Sequence, residues 1–410
     1  MTLALRNYAI VTTAYFLFTL TDGAIRMLVL LHFYRLGYTP FTLASLFLLY
    51  ETAGIFANAF GGWLAVRFGI PRMLACGLGL QVLGLLMLSA LNPAWGTTAA
   101  VAWVVCAQGV AGVAKDLTKT AAKSAIKASS QDGAAQLFRW VAWFTGSKNA
   151  TKGAGFFVGG ALLQGVGFSP ALWLMAGLLL AVLAVVWTTL PRALGRAKAS
   201  KTMRALFAKA PAINLMAAAR VFLFGARDVW FVVGLPVYLY ASGWQYFQVA
   251  GFMALWTIGY GVVQAAAPRM LRRSADGLSR EVPEARLWGA VLALIPAGLA
   301  VALGGLALPR PDLVLTGGLC LFGVVFAMMS SLHSYLILAY AGSEKAAEDV
   351  GFYYAANAAG RLLGIVLSGV LTQAGGMVGC LGGAAVMLVI CWLITLRLPR
   401  QLAPSTGGIE

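Results

Sequence analysis

Long apolar stretches recur along the whole of this 410-residue chain, and they constrain its fold more than any other feature. In the first half they cover about 8–31, 41–65, 72–91, 98–121, 138–164 and 171–190, broken by Gly, Pro or charge. In the second half they cover about 213–240, 246–267, 287–308, 313–340, 351–374 and 378–396. Each approaches the roughly 20 residues that a helix needs to cross the hydrocarbon of a bilayer. Every backbone N–H and C=O must there be satisfied within the protein, so each stretch is predicted to be helical. Composition agrees, since 60% of residues are apolar and 10% charged, against about 45–50% and about 25% in soluble domains. A soluble enzyme and a disordered scaffold are both excluded. The expected fold class is an all-α membrane protein with twelve transmembrane helices.

The net charge of +17 would suggest nucleic acid only if the Lys and Arg formed one solvated patch. They are dispersed between loops and apolar segments, so the partner expected is the lipid bilayer and not nucleic acid. The segment 191–211 carries Arg192, Arg196, Lys198, Lys201, Arg204 and Lys209 without an acid. It divides the chain into halves at 1–190 and 212–400, joined by a basic cytoplasmic linker and followed by a tail at 401–410. With both termini cytoplasmic, Arg35 and Arg310 are the only basic residues in outside loops, as the positive-inside rule requires. The first stretch contains Asp22 and Arg26 and lacks a cleavage signature, so it reads as a retained span of a multi-pass inner-membrane protein. The five cysteines show no CxxC spacing and read as packing residues; neither a metal nor a cofactor is expected.

Sliding the sequence over itself by 206 residues places Asp22 on Asp228, Tyr34 on Tyr240, Gly37 on Gly243, Asn58 on Gln264 and Arg67 on Arg273. At 209, Lys152 falls on Arg361, Gly155 on Gly364, Gly160 on Gly369 and Gln164 on Gln373. The halves therefore read as a parallel repeat of six helices each, a pseudo-symmetric arrangement that places a substrate site between them near the midplane. The stretch 62–72, GWLAVRFGIPR, resembles the loop motif of the major facilitator superfamily, with Val66 where that motif usually has Asp. No GxxxxGK[ST] phosphate loop is present, which argues against an ATP-driven pump.

Charges inside apolar segments are costly and mark function. Leaving aside Arg72 at the first position of its segment, nine basic residues lie within the segments, against the four acids Asp22, Glu51, Asp116 and Asp228. In AKDLTKTAAKSAIK, Lys115, Lys119, Lys123 and Lys127 share a helix face; the last two read as solvated, and Lys115 as cavity-facing. Lys148 and Lys152 lie on one face with Asn149 alongside and no acid nearby, which suits contact with an anionic cargo. Arg361 approaches from the other half and offers a bidentate fork to an oxyanion. Arg220 and Arg227 lie close to one face, with Asp228 beside the second; Arg227 either binds cargo or is held by Asp228, two readings left equal because adjacent residues do not face each other on an ideal helix. Asp22 and Arg26, four apart, are expected to form an intrahelical ion pair. Glu51 has no cation within a turn and must be paired across helices or protonated, making it the foremost coupling candidate beside Asp22 and Asp228. His333 reads as a hydrogen-bonded packing residue.

With these residues in view, the chain resembles the ArsJ-type organoarsenical exporters of the major facilitator superfamily. The stretches that carry the resemblance are LTDGAIRMLVLLHFYRLGY, AKDLTKTAAKSAIK, TGSKNATKGAGFF and GFYYAANAAGRLLG. It implies a transporter and not an enzyme, a monomer that expels 1-arseno-3-phosphoglycerate and so confers arsenate resistance. Glyceraldehyde-3-phosphate dehydrogenase would be the functional partner, making the ester when it uses arsenate in place of phosphate. Two cationic clusters suit a cargo with an oxyanion at each end, and charge and spacing alone equally describe a transporter or exchanger of other small organophosphates.

Overall fold

A computed structural model describes residues 3–56, 68–129, 134–191, 210–271, 274, 278–340 and 346–400, and all regular structure among them is helical. The first half consists of α1 (Leu3–Arg35), α2 (Pro40–Phe56), α3 (Ile70–Ser89), α4 (Thr97–Ser129), α5 (Ala134–Gly165) and α6 (Phe168–Thr189). The second consists of α7 (Pro211–Ala241), α8 (Tyr246–Met270), α9 (Glu281–Gly305) and α10 (Pro311–Tyr340), with α11 and α12 within Ala346–Leu396 on either side of Gly376, where the backbone leaves the helical region (φ 58°, ψ −148°). These are the twelve expected spans; the described ends differ from expectation by up to eight residues, at the end of α4, and 57–65 of the second span lie outside the described residues. The linker and tail at 192–209 and 401–410, together with Val66, lie outside the described residues, as do the side chains of Lys123 and Lys127.

The repeat is visible in how the helices stop. At the end of α1, Gly37 takes a positive φ of 85°, its N–H bonds the Tyr34 carbonyl, and the Tyr38 N–H reaches back to the Phe33 carbonyl. Gly243 ends α7 in the same way at φ 91°, with Trp244 bonding Leu239. Both are Schellman stops, which call for a residue without a Cβ. They are 206 residues apart, and the positive-φ glycines at 167 and 376 are 209 apart.

Burial separates the central helices from the lipid-facing ones. The most apolar window is 83% buried in α1 and 72% in α7, but only 33% in α6 and 28% in α9. On α9, Leu287, Leu294 and Val301 recur every seven residues as an exposed stripe, which hydrocarbon solvates and water would not. Small residues let the central helices approach. A Cβ on Gly155 of α5 would collide with the Leu20 carbonyl of α1, and one on Gly364 of α11 would come within 2.9 Å of the Asp228 Cβ of α7. The halves pack through α5 on α8 and α2 on α11.

Candidate functional site

A central cavity of about 260 Å³ opens among α1, α2, α4, α5, α7, α8, α10 and α11. Arg26, Lys115, Lys119, Lys148, Asn149, Lys152, Arg220, Arg227, Arg361, Asp22, Glu51 and Asp228 all line it. With Asp116, the lining holds eight basic and four acidic side chains. Charges scattered over 340 residues of sequence thus converge on one site at the junction of the halves.

The acids are not distributed as local spacing suggests. Arg26 passes over Asp22 and donates to Glu51 Oε1 at 2.6 Å, its guanidinium lying over the Phe47 and Tyr50 rings at 5.2 and 5.4 Å. Asp22 instead accepts a hydrogen bond from the Tyr50 hydroxyl at 2.5 Å. The expected Asp22–Arg26 pair is therefore absent. The packing of α2 on α1 supplies a carboxylate and two rings that the Arg26 side chain reaches without folding back. Glu51 is paired across helices, taking Arg361 of the opposite half at 2.7 Å and Lys115 at 3.8 Å as well as Arg26. Lys115 also sits 3.9 Å from the Tyr50 ring centre, and Lys119 bonds Asp116 at 3.1 Å.

In the second half, Arg227 bonds the adjacent Asp228, through Nε at 2.7 Å and through its terminal nitrogen, the second of the two roles open to it in the sequence. A flexible arginine stem curls along the helix surface where a shorter cation would not. Arg361 Nε donates to the other Asp228 oxygen at 3.1 Å. The result is a chain of alternating charge, Arg26–Glu51–Arg361–Asp228–Arg227, that crosses from one half to the other.

Lys148, Lys152 and Arg220 stand outside this chain and form no ion pair among the described residues. Arg220 is held by neutral groups, donating to Asn357 Oδ1 at 3.0 Å and to the Ser330 hydroxyl at 3.3 Å, with its guanidinium 3.9 Å from the Phe224 ring centre and 4.8 Å from that of Tyr353. Lys152 lies 5.8 Å from the Phe156 ring centre. Rings stabilise cations without neutralising them, leaving N–H donors for an incoming anion. Asn149 donates to Gln264 Oε1 at 3.1 Å, and Gln264 donates on to Ser330, a second link between the halves.

Sequence reasoning missed Tyr50, Asn357, Ser330 and the aromatic lining from Phe156, Phe224, Phe231, Trp256 and Tyr260. Tyr50 precedes Glu51, and Asn357 lies one turn before Arg361, so proximity to a buried charge was the available signal. His333 is fully buried, but neither ring nitrogen has a hydrogen-bond partner among the described residues. Also among the described residues, no cluster of His, Cys, Asp or Glu could hold a metal ion.

A family model for the Major Facilitator Superfamily matches residues 11–364. The chain belongs to the Major Facilitator Superfamily. Among solved structures, that of a point mutant of the nucleoside transporter NupG is similar with a TM-score of 0.72 at 16% identity, over 97% of this chain and 100% of that one. A structure described by substrate recognition in proton-dependent oligopeptide transporters is similar with a TM-score of 0.70 at 16% identity, over 96% and 98%. At such identity the likeness establishes the fold alone. No curated protein sequence matches the chain. Family and fold together make it a multi-pass membrane protein and point to a transporter, not an enzyme. As in other superfamily members with two six-helix halves, the cavity lies where the repeats meet.

Proposed function

We propose that this facilitator exports a small organic anion with an oxyanion group at each end, 1-arseno-3-phosphoglycerate, and thereby confers arsenate resistance. The observation that carries an anionic cargo is the set of three cavity-lining basic residues, Lys148, Lys152 and Arg220, that form no ion pair among the described residues. Lysines presented by the first half and an arginine presented by the second suit a three-carbon molecule with an oxyanion at each end. Arsenic itself enters through the resemblance to ArsJ-type exporters, with glyceraldehyde-3-phosphate dehydrogenase supplying the ester. An inside-negative potential drives such an anion outward by about 2.3 kcal/mol per charge per 100 mV. Where protons are exchanged as well, Asp22 replaces Glu51 as the favoured acid. Glu51 is held by three cations, whereas Asp22 accepts from the Tyr50 hydroxyl and forms no ion pair among the described residues. The second reading, a transporter or exchanger of other organophosphates, rests on the same cations.

Arsenate tolerance of an arsenic-sensitive cell expressing the chain alone, and then with the dehydrogenase, tests the proposal. Rescue only with the dehydrogenase is expected. Rescue from arsenite, or proteoliposome transport no faster for the ester generated from glyceraldehyde 3-phosphate, NAD+ and arsenate by the dehydrogenase than for 3-phosphoglycerate, would sink the organoarsenical reading.

A further inference from the structure

On the lipid-facing side of the first half, a groove of about 630 Å³ runs between α3 and α6. Its walls are Arg72 and Cys76 of α3 and Leu180, Leu183, Ala184 and Trp187 of α6. The volume lies within the roughly 300–1,000 Å³ of small-molecule sites. The two helices pack against each other, and the small side chains Ala75 and Ala184 leave the depression open.

The groove is graded from polar to apolar along the membrane normal. Arg72 lies in the first turn of α3 and Trp187 in the last turn of α6, so both stand at the same end of an antiparallel pair. That is the headgroup level, where Trp and Arg anchor spans. Cys76, Leu180 and Leu183 lie one to two turns deeper, at acyl-chain depth. Trp187 is 66% exposed, and Arg72 is exposed and without an ion pair among the described residues. The flanking segments 57–67 and 192–209 contain no acid in their sequences but supply seven further basic residues, beginning with Arg67. An unneutralised guanidinium above an apolar groove fits a phosphate ester that carries acyl chains. No acidic side chain among the described residues lines the groove to receive a headgroup ammonium, which favours a headgroup with net negative charge.

We propose that this groove binds one anionic phospholipid, its phosphate on Arg72, its glycerol region against the Trp187 indole and an acyl chain along Cys76, Leu180, Leu183 and Ala184. The site is separate from the cargo cavity and stands whatever the cargo is. Native mass spectrometry of the purified chain, equilibrated in micelles with equal phosphatidylglycerol and phosphatidylcholine, is expected to show one phosphatidylglycerol retained in preference. Arg72→Gln should lower that retention about fivefold, the worth of one basic residue at an anionic membrane surface. Ala184→Phe fills the groove while keeping Arg72, and should abolish retention. Equal retention of the two lipids, or unchanged retention in Ala184→Phe, would overturn the proposal.

Discussion

Lys148 and Lys152 differ from the paired cations of the cavity in having no carboxylate within ion-pair distance among the described residues, and that difference sets what each neutralisation does. Lys152→Gln breaks no pair, so the protein should fold normally. It should bind cargo more weakly by about 1.5–3 kcal/mol, or about 10- to 150-fold, the worth of a hydrogen bond to a charged group. Titration calorimetry with 3-phosphoglycerate measures this, and unchanged affinity would remove Lys152 from the site. Glu51→Gln acts in the opposite sense, because it leaves Arg26, Arg361 and Lys115 facing a neutral amide. Breaking buried pairs costs about 3–5 kcal/mol, a large part of the roughly 5–15 kcal/mol that holds a protein folded. A sharply lower yield of monodisperse protein is therefore expected on gel filtration. Asp22→Asn keeps an acceptor for the Tyr50 hydroxyl, so it should fold and flatten the pH profile of export in proteoliposomes at clamped potential. A wild-type profile would exclude Asp22 from coupling. Which residues matter was legible because a charge in an apolar span stands out. Their pairings were not, because Arg26 and Arg361 reach across helices whose relative rotation local spacing does not define.

At the scale of the element, Gly155 and Gly364 occupy matching places in the repeat, each where one central helix crosses another. Gly155→Ala and Gly364→Ala should each destabilise by about 1–3 kcal/mol, the range for overpacking a fitted contact. Gly177→Ala on α6 places its methyl in open space and should stay within about 0.5 kcal/mol. Thermal unfolding in detergent compares the three, and equal melting temperatures would show that the crossings tolerate a methyl. All twelve helices were readable as windows of hydropathy, and Tyr34, Gly37, Tyr240 and Gly243 as matched positions of the repeat, although not as helix stops. What escaped was the interior of α7, which widens into a π-helical turn at Trp230–Gly234 beside Asp228. Pro236 has no N–H, and its ring crowds the carbonyl four residues back, which loosens this turn. The Ser368 hydroxyl of α11 then accepts from the Val233 and Gly234 N–H groups at 3.2 and 3.4 Å. A proline in the sequence announces a disturbed helix; whether it kinks, breaks or widens depends on a partner such as Ser368, more than a hundred residues away.

At the scale of the whole molecule, two kinds of contact hold the halves together. Deep in the bundle, Arg361 bridges Glu51 and Asp228, and Asn149 bonds Gln264. At the end where α1 joins α2 and α7 joins α8, the Tyr34 and Tyr240 rings meet edge to face at 5.7 Å, and the Phe41 N–H donates to Gln373 Oε1 at 3.3 Å. An anion entering the cavity competes with Glu51 and Asp228 for Arg361, so cargo weakens the deep link by mass action. The peripheral link has no charge to compete for and must part mechanically whenever the repeats rock about the site. Covalently joining positions 41 and 373 should therefore stop transport while leaving the cavity able to bind. Both side chains are exposed, so Phe41→Cys with Gln373→Cys should fold once the exposed Cys76, Cys106 and Cys320 are replaced by Ser. A short bifunctional thiol reagent with a cleavable bridge then tests the point in proteoliposomes. Export should fall to the level of empty vesicles on cross-linking and return on cleavage, with 3-phosphoglycerate affinity the same in both states. Export at the uncross-linked rate through a fully joined protein would mean that this end of the bundle stays closed throughout the cycle, and rocking of the two halves would have to be abandoned for this chain.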